Sequence, residues 1–299
     1  MKDARAIAVD TPAARGSRSF SDYVALTKPR LNGLVVASSA AGYYLGAAQI
    51  DPAAMAAAVL GIACVAGGAA ALNQLFERDK DALMRRTRSR PLPDGRVSPA
   101  DAAVFGAALS LAGLGLLIAR ANVQAALLAL LTLAVYLVVY TPMKRMTPLA
   151  MLVGAVPGAL PPLIGWTAAH GGVSSGGAAL FAIVFLWQMP HFLAISWLYR
   201  DDYALAGFPM LAVVDTDGRR AGRQALVYAA GLVPVSALPA YFGITGPMSL
   251  AAALALGVAF LVTAARFARS RSSESARVLF YASIVYLPLL WVAMLADKL

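Results

Sequence analysis

Long apolar runs, broken at intervals by short polar and mostly basic stretches, dominate this chain. Nine runs stand out, at about 31–49, 54–76, 100–119, 122–140, 147–168, 177–199, 224–243, 248–267 and 278–296. A helix of about 20 residues, rising about 1.5 Å per residue, crosses a hydrocarbon layer of about 30 Å. No stretch alternates apolar and polar residues with the period of two that a half-buried strand needs. The pattern predicts an all-α fold, a polytopic membrane bundle of nine transmembrane helices around one central cavity. Residues 1–25 read as a mobile cytoplasmic tail and 26–299 as a single transmembrane domain. The run 147–168 contains Pro157, Pro161 and Pro162, which predicts a kink that neighbouring helices cover.

Charge orients the runs. Six Lys/Arg precede the first run, counting Lys28 and Arg30, and seven lie in 77–99. Lys144 and Arg145 follow the fourth run. Arg200, Arg219, Arg220 and Arg223 follow the sixth, and Arg266, Arg269, Arg271 and Arg277 lie at or after the end of the eighth. The alternate connections keep only Arg120 and Lys298 of the 25 basic residues. This asymmetry predicts an N-terminus inside the cell, in a multi-pass protein of a bacterial cytoplasmic (inner) membrane.

The composition agrees. With 60% hydrophobic and 13% charged residues, the chain is no ordinary soluble domain. Its net charge of +10 is accounted for by juxtamembrane residues that meet anionic membrane lipid, so no nucleic-acid partner is implied. Cys64 is the single cysteine. It excludes a disulfide within one chain and a Cys-based metal site, and no Cys-x-x-Cys-His segment is present for covalent haem attachment. Residues 1–22 lack the apolar core of a secretory signal. Their basic, Ser-containing character also fits a presequence, against which Asp3 and Asp10 count.

The chemistry concentrates where the second run ends. Asn73, Glu77 and Asp81 are spaced i, i+4, i+8 and share one face of a helix. Carboxylates at a helix C-terminus oppose its dipole, and ionisable groups at a membrane edge point to a substrate or ion site. Hard oxygen donors of this kind suit Mg²⁺, which completes its shell with water and phosphate oxygens. The alternative is a set of solvated carboxylates that simply balances the basic loop behind it. In that loop and on other segment ends, Lys28, Arg30, Arg85, Arg86, Arg88, Arg90, Lys144 and Arg145 are candidates to close around a diphosphate. The positive-inside rule alone also accounts for basic residues there.

A second acidic pair, Asp201 and Asp202, ends the sixth run. It is a candidate for a further cation or for a plain ion pair with Arg200. The two matching helix ends suggest a two-part bundle with one shared cavity. Of the two histidines, His170 falls in a short connection and reads as solvated. His191 follows Pro190 inside an apolar run, as a packing residue or as a functional one.

The residues resemble the UbiA superfamily of intramembrane prenyltransferases, whose first acidic motif reads Asn/Asp-x-x-x-Asp-x-x-x-Asp. Asn73, Glu77 and Asp81 match it, with Glu in the middle. Longer stretches resemble the branch of that superfamily that farnesylates protohaem. They are Lys28-Pro29-Arg30, Asn73 to Glu77, Asp81 to Pro93, Tyr140 to Arg145, Gly158 to Trp166, Trp187 to Phe192 and Asp202 to Leu211. They run in order over most of the chain. The resemblance implies that farnesyl diphosphate and protohaem IX (haem B) react with water to give haem O and diphosphate. Asn73, Glu77 and Asp81 would hold Mg²⁺ and act in catalysis. Lys28, Arg30, Arg85, Arg88, Arg90, Lys144 and Arg145 would bind diphosphate, and Trp187, His191, Tyr199, Asp202 and Tyr203 would serve the haem side. Many members carry a second Asp-rich motif. Here that stretch reads Tyr199-Arg200-Asp201-Asp202-Tyr203, so one Mg²⁺ is expected on the first motif, with Asp201 and Asp202 as candidate further ligands. Haem A synthase or oxidase assembly proteins are the implied protein partners. Two rival readings are a prenyltransferase with an aromatic quinone precursor as acceptor, and a transporter or non-catalytic haem-handling protein. Transporters place charge near the bilayer midplane, whereas these acids lie at its edge.

Overall fold

The structure, a computed structural model, describes residues 19–299. Residues 1–18 of the expected tail lie outside the described residues. The next residues form a short helix, α1 (Phe20–Leu26). The runs then follow as α2 (Pro29–Gly46), α3 (Pro52–Asp81), α4 (Pro99–Arg120), α5 (Val123–Met143), α6 (Ala150–His170) and α7 (Ser175–Leu198). Two short helices, α8 (Arg200–Leu205) and α9 (Leu211–Val214), precede α10 (Arg219–Tyr241), α11 (Pro247–Ser270) and α12 (Ser273–Ala296).

Eight of these described helices are long and apolar enough to cross a membrane. The ninth expected span, 31–49, is α2. It has 18 residues and falls short in apolarity because Arg30, Asn32, Ser38 and Ser39 interrupt it. Its second half is buried against protein. Many large apolar side chains of the other helices face outward, among them Val104, Leu111, Val138, Val258 and Val292. Lipid is the medium in which that is stable.

Local chemistry sets the boundaries. Asp51 caps α3 by accepting from the backbone N–H of Ala53 and Ala54, with Pro52 at the first helical position. Ser98, Asn122 and Ser272 cap α4, α5 and α12 in the same way. Gly171 ends α6 in the left-handed conformation. The last turns of α5, Val135–Tyr140, are wound as π-helix, a form common at functional sites. α6 runs as one continuous helix through its three prolines.

Close packing holds the bundle. A β-carbon on Gly68 or Gly113 would run into the backbone oxygen of Gly106 or Gly61, so α3 and α4 touch backbone to backbone. α2 and α6 meet likewise, at Gly42 beside the Pro162 carbonyl and Gly165 beside that of Ser39. Small residues at helix crossings are the membrane solution, since apolar side chains gain little from leaving lipid. The antiparallel succession brings the start of α2 and the ends of α3, α5 and α7 to one end of the bundle. Hydrogen bonds among Lys28, Asn73, Thr141, Lys144 and Glu77 join the start of α2 to the ends of α3 and α5 there.

Candidate active site

α3 is 30 residues long, about 45 Å at the standard rise, and so outruns the hydrocarbon layer. Its last turns carry the acidic stripe. Asn73, Glu77 and Asp81 are all buried, at 2, 3 and 1% exposure, while Phe76, Arg78 and Asp79 between them are exposed. The three side chains therefore share one inward face, as the spacing predicted.

Each meets a cation from a different segment. Lys28 Nζ donates to Asn73 Oδ1 at 3.2 Å. Lys144 Nζ lies 3.3 and 3.2 Å from the two oxygens of Glu77. Arg90 Nη1 donates to Asp81 Oδ2 at 2.6 Å. Asp81 Oδ1 is sealed in with no hydrogen-bond partner among the described residues. Asn73 Nδ2 donates to the Thr141 hydroxyl at 3.1 Å, which in turn donates to the Tyr136 carbonyl within the π-helical turn.

The surroundings shape these charges. Lys28 sits at the start of α2 with a left-handed backbone, φ 50°, a strained conformation for a residue with a side chain. Burial, and secondarily the Arg90 guanidinium, pull its ammonium down to about 7. Lys144 is packed under the Phe208 ring, 4.6 Å from its centroid. The loop after α3 folds back on the helix end, where Thr87 donates to the Asp81 carbonyl at 2.7 Å.

The other expected residues divide into groups. Arg86 donates to the Tyr203 hydroxyl at 3.2 Å and lies 5.1 Å from the Tyr199 ring centroid. Met84, Tyr203, Ala206 and Phe208 pack together beneath it. Arg30, Arg85 and Arg88 are exposed. Arg145 holds the Phe76 carbonyl at 2.6 Å, so it braces α3 from outside the stripe. Asp201 is exposed and Asp202 half-buried. Arg200 does not pair with them but donates to the Trp197 carbonyl at 2.9 Å. Trp187 and His191 lie apart from Tyr199 and Tyr203, between α7 and α12, where both bond Ser283. His170 is exposed, with its ring 5.3 Å from that of Trp166.

Several contributors are not evident from sequence. Thr141 orients Asn73, and its only signal is its place in the Tyr140–Arg145 stretch. Gln74 is buried and donates to the Leu26 carbonyl at 2.7 Å, tying α1 to α3. Buried Asp22 pairs with Arg96. Among the described residues, no cluster of three or more His, Cys, Asp or Glu is arranged to hold a metal by itself. The stripe offers two carboxylates and one carboxamide, which would leave the rest of a shell to water and phosphate.

Comparison with known proteins places this architecture. The model of the UbiA prenyltransferase family matches residues 35–290. The protoheme IX farnesyltransferase of Solibacter usitatus is 45% identical over 287 residues, which cover 93% of this chain and 98% of that one. That of Anaeromyxobacter sp. (strain Fw109-5) is 46% identical over 291 residues, 96% and 98% of the two chains. Among solved structures, a digeranylgeranylglyceryl phosphate synthase superposes with a TM-score of 0.78 at 18% identity, covering 93% of this chain and 97% of that one. A UbiA homologue from Archaeoglobus fulgidus, bound to GPP and Mg²⁺, superposes with a TM-score of 0.66 at 16% identity, covering 91% and 99%. This chain is an integral membrane protein and belongs to the UbiA prenyltransferase family.

Proposed function

We propose that the chain transfers the farnesyl group of farnesyl diphosphate to a vinyl group of protohaem IX, with addition of water, giving haem O and diphosphate. One observation carries the reading. A buried stripe of three oxygen-bearing side chains, each met by a cation from a different segment, lies at the membrane edge of a chain whose relatives are named for this reaction.

The site suits diphosphate departure. Lys28, Arg90 and Lys144 converge on Glu77 and Asp81, and a diphosphate entering there meets preplaced donors, with Arg86 held close by on the Tyr203 side. Preorganised charge of this kind stabilises a leaving group without reorganisation. Asn73, Glu77 and Asp81 fit Mg²⁺: their donors are hard oxygens, and Asp81 Oδ1 is buried with no hydrogen-bond partner among the described residues. When bound, the ion would supply Lewis-acid neutralisation of the diphosphate. The C1–O bond of the farnesyl chain breaks, and the resulting allylic cation must be kept from bulk water. The apolar helices do this and hold the C15 tail. The vinyl group attacks C1 and forms the new C–C bond. Water adds its oxygen to the cation left on the former vinyl group and releases a proton. Trp187 and His191 form the haem side, and Tyr199 and Tyr203, which meet Arg86, border the diphosphate side.

In this reading the basic end of the bundle faces the cytoplasm of a bacterium and draws diphosphate from there. The product would pass to haem A synthase or to oxidase assembly proteins in the same membrane.

Purified protein incubated with haem B, farnesyl diphosphate and Mg²⁺ should yield haem heavier by one farnesyl group and one water. Unchanged haem, together with prenylation of an aromatic quinone precursor, would refute the assignment.

A further inference from the structure

Ser283 of α12 gathers the aromatic residues of α7. Its carbonyl accepts from Trp187 Nε1 at 2.8 Å, and its side-chain oxygen lies 2.6 Å from His191 Nδ1. Ser283 is fully buried, and its hydroxyl also lies 2.5 Å from the Phe280 carbonyl. These distances decide the imidazole tautomer. The Ser283 hydroxyl has one proton, and a carbonyl oxygen can only accept. If that proton went to Nδ1, two acceptor oxygens would face each other at 2.5 Å with nothing between them. The hydroxyl therefore donates to Phe280, and His191 Nδ1–H donates to Ser283.

The ring is equally constrained. Trp187 stacks on His191 at 5.2 Å and 21°, and Phe280 at 5.1 Å and 29°. With Trp187 and Phe280 stacked, the Phe192 ring tilted against it at 5.8 Å and Nδ1 engaged, the edge bearing Nε2 is what remains. Nε2 has no hydrogen-bond partner among the described residues and is not sealed in. A neutral imidazole lone pair is the commonest protein ligand to a metal, and the aromatic surroundings suit a flat apolar molecule that carries one. Second-shell hydrogen bonds to the far nitrogen are the usual means of fixing such a ligand.

We propose that Ser283 is a positioning residue that locks His191 as the Nδ1–H tautomer and presents Nε2 to the iron of the haem acceptor. The proposal rests on haem being that acceptor. Trp187, anchored to the same residue, keeps the imidazole plane fixed. The covalent step takes place at the porphyrin edge, so an axial nitrogen grips the substrate without blocking its vinyl group.

The test is a titration of purified full-length protein with haem B, read by affinity and by the iron–imidazole stretching band of the ferrous complex. Wild type should show the band. Ser283→Ala should bind haem B about 10-fold more weakly and shift the band, with farnesyl diphosphate affinity unchanged, while Ser283→Thr should keep both properties near wild type. In His191→Gly, added imidazole should restore binding better than 1-methylimidazole, which cannot donate to Ser283. That difference should vanish in the His191→Gly/Ser283→Ala double variant. Should Ser283→Ala fail to fold, the comparison of the two imidazoles in His191→Gly decides alone, and equal rescue overturns the proposal. A wild type that makes haem O without an iron–imidazole band, or a Ser283→Ala variant with unaltered band and affinity, overturns it and leaves the acceptor assignment standing. A wild type that neither binds haem B nor makes haem O overturns both.

Discussion

Asp81→Asn isolates the charge of the stripe from its shape. The Asp81 side chain is 1% exposed, with one oxygen on Arg90 and the other without a partner among the described residues. Asparagine keeps the volume and can still accept from Arg90, but it removes one of the two carboxylates. A unit charge acting on another about 4 Å away, at an effective dielectric of about 20, is worth about 4 kcal/mol. Loss of one preorganised electrostatic contact at a reacting centre costs about 2.7–4 kcal/mol, or 10²–10³ in kcat. The two estimates agree, so kcat for haem O formation should fall by about 10²–10³. Stability should fall less. The Arg90 side chain is 24% exposed and can turn to water, leaving one buried amide donor to satisfy, at about 1–3 kcal/mol. Asp79→Asn is the control. Asp79 is two residues away, but its side chain is 83% exposed and pairs with Arg78 at 3.4 Å. Turnover of both variants would be measured under saturating substrates and Mg²⁺, with thermal unfolding in detergent as the check on folding. An Asp81→Asn enzyme within about threefold of wild type, or an equal loss in Asp79→Asn, would refute the assignment of the stripe.

Three further outcomes are expected. Lys144→Met leaves Glu77 buried and unpaired, which should cost about 3–5 kcal/mol in unfolding experiments; adding Glu77→Gln should restore most of the stability but not turnover. Gly113→Leu should abolish accumulation of folded protein, because its side chain would have to displace the Gly61 backbone, whereas Gly115→Ala, with open space around it, should accumulate normally. Reporter fusions should place Lys298 and the 200–223 loop on opposite sides of the membrane; the same side for both would overturn the orientation read from charge.

Sequence by itself determined the helical class, the span positions and the face of the acid stripe. These follow from local rules: run length against bilayer thickness, helical periodicity, and the strong cost of charge in lipid. α3 shows both the reach and the limit of such rules. The spacing put Asn73, Glu77 and Asp81 on one face, while the apolar run ended near 76, because hydropathy registers lipid contact and not helix length. The helix continues to Asp81, since protein cations cover the polar turns.

Only the tertiary structure decided which basic residues serve that face. Lys28, Arg90 and Lys144 reach it, Arg145 braces a backbone carbonyl, and Arg30, Arg85 and Arg88 stay in the open. In sequence they are equivalent, because the positive-inside pattern calls for basic residues throughout these loops and carries no information on where a side chain points. The haem-side set divided for the same reason. Trp187 and His191 are held by Ser283, about ninety residues away in the chain, while Tyr199 and Tyr203 turn toward Arg86. A buried serine on an apolar helix looks like any small packing residue until the helix beside it is known. Long-range partners are set by which helices cross and at what register, and that is settled by glycine contacts between whole helices and not by any local run of residues.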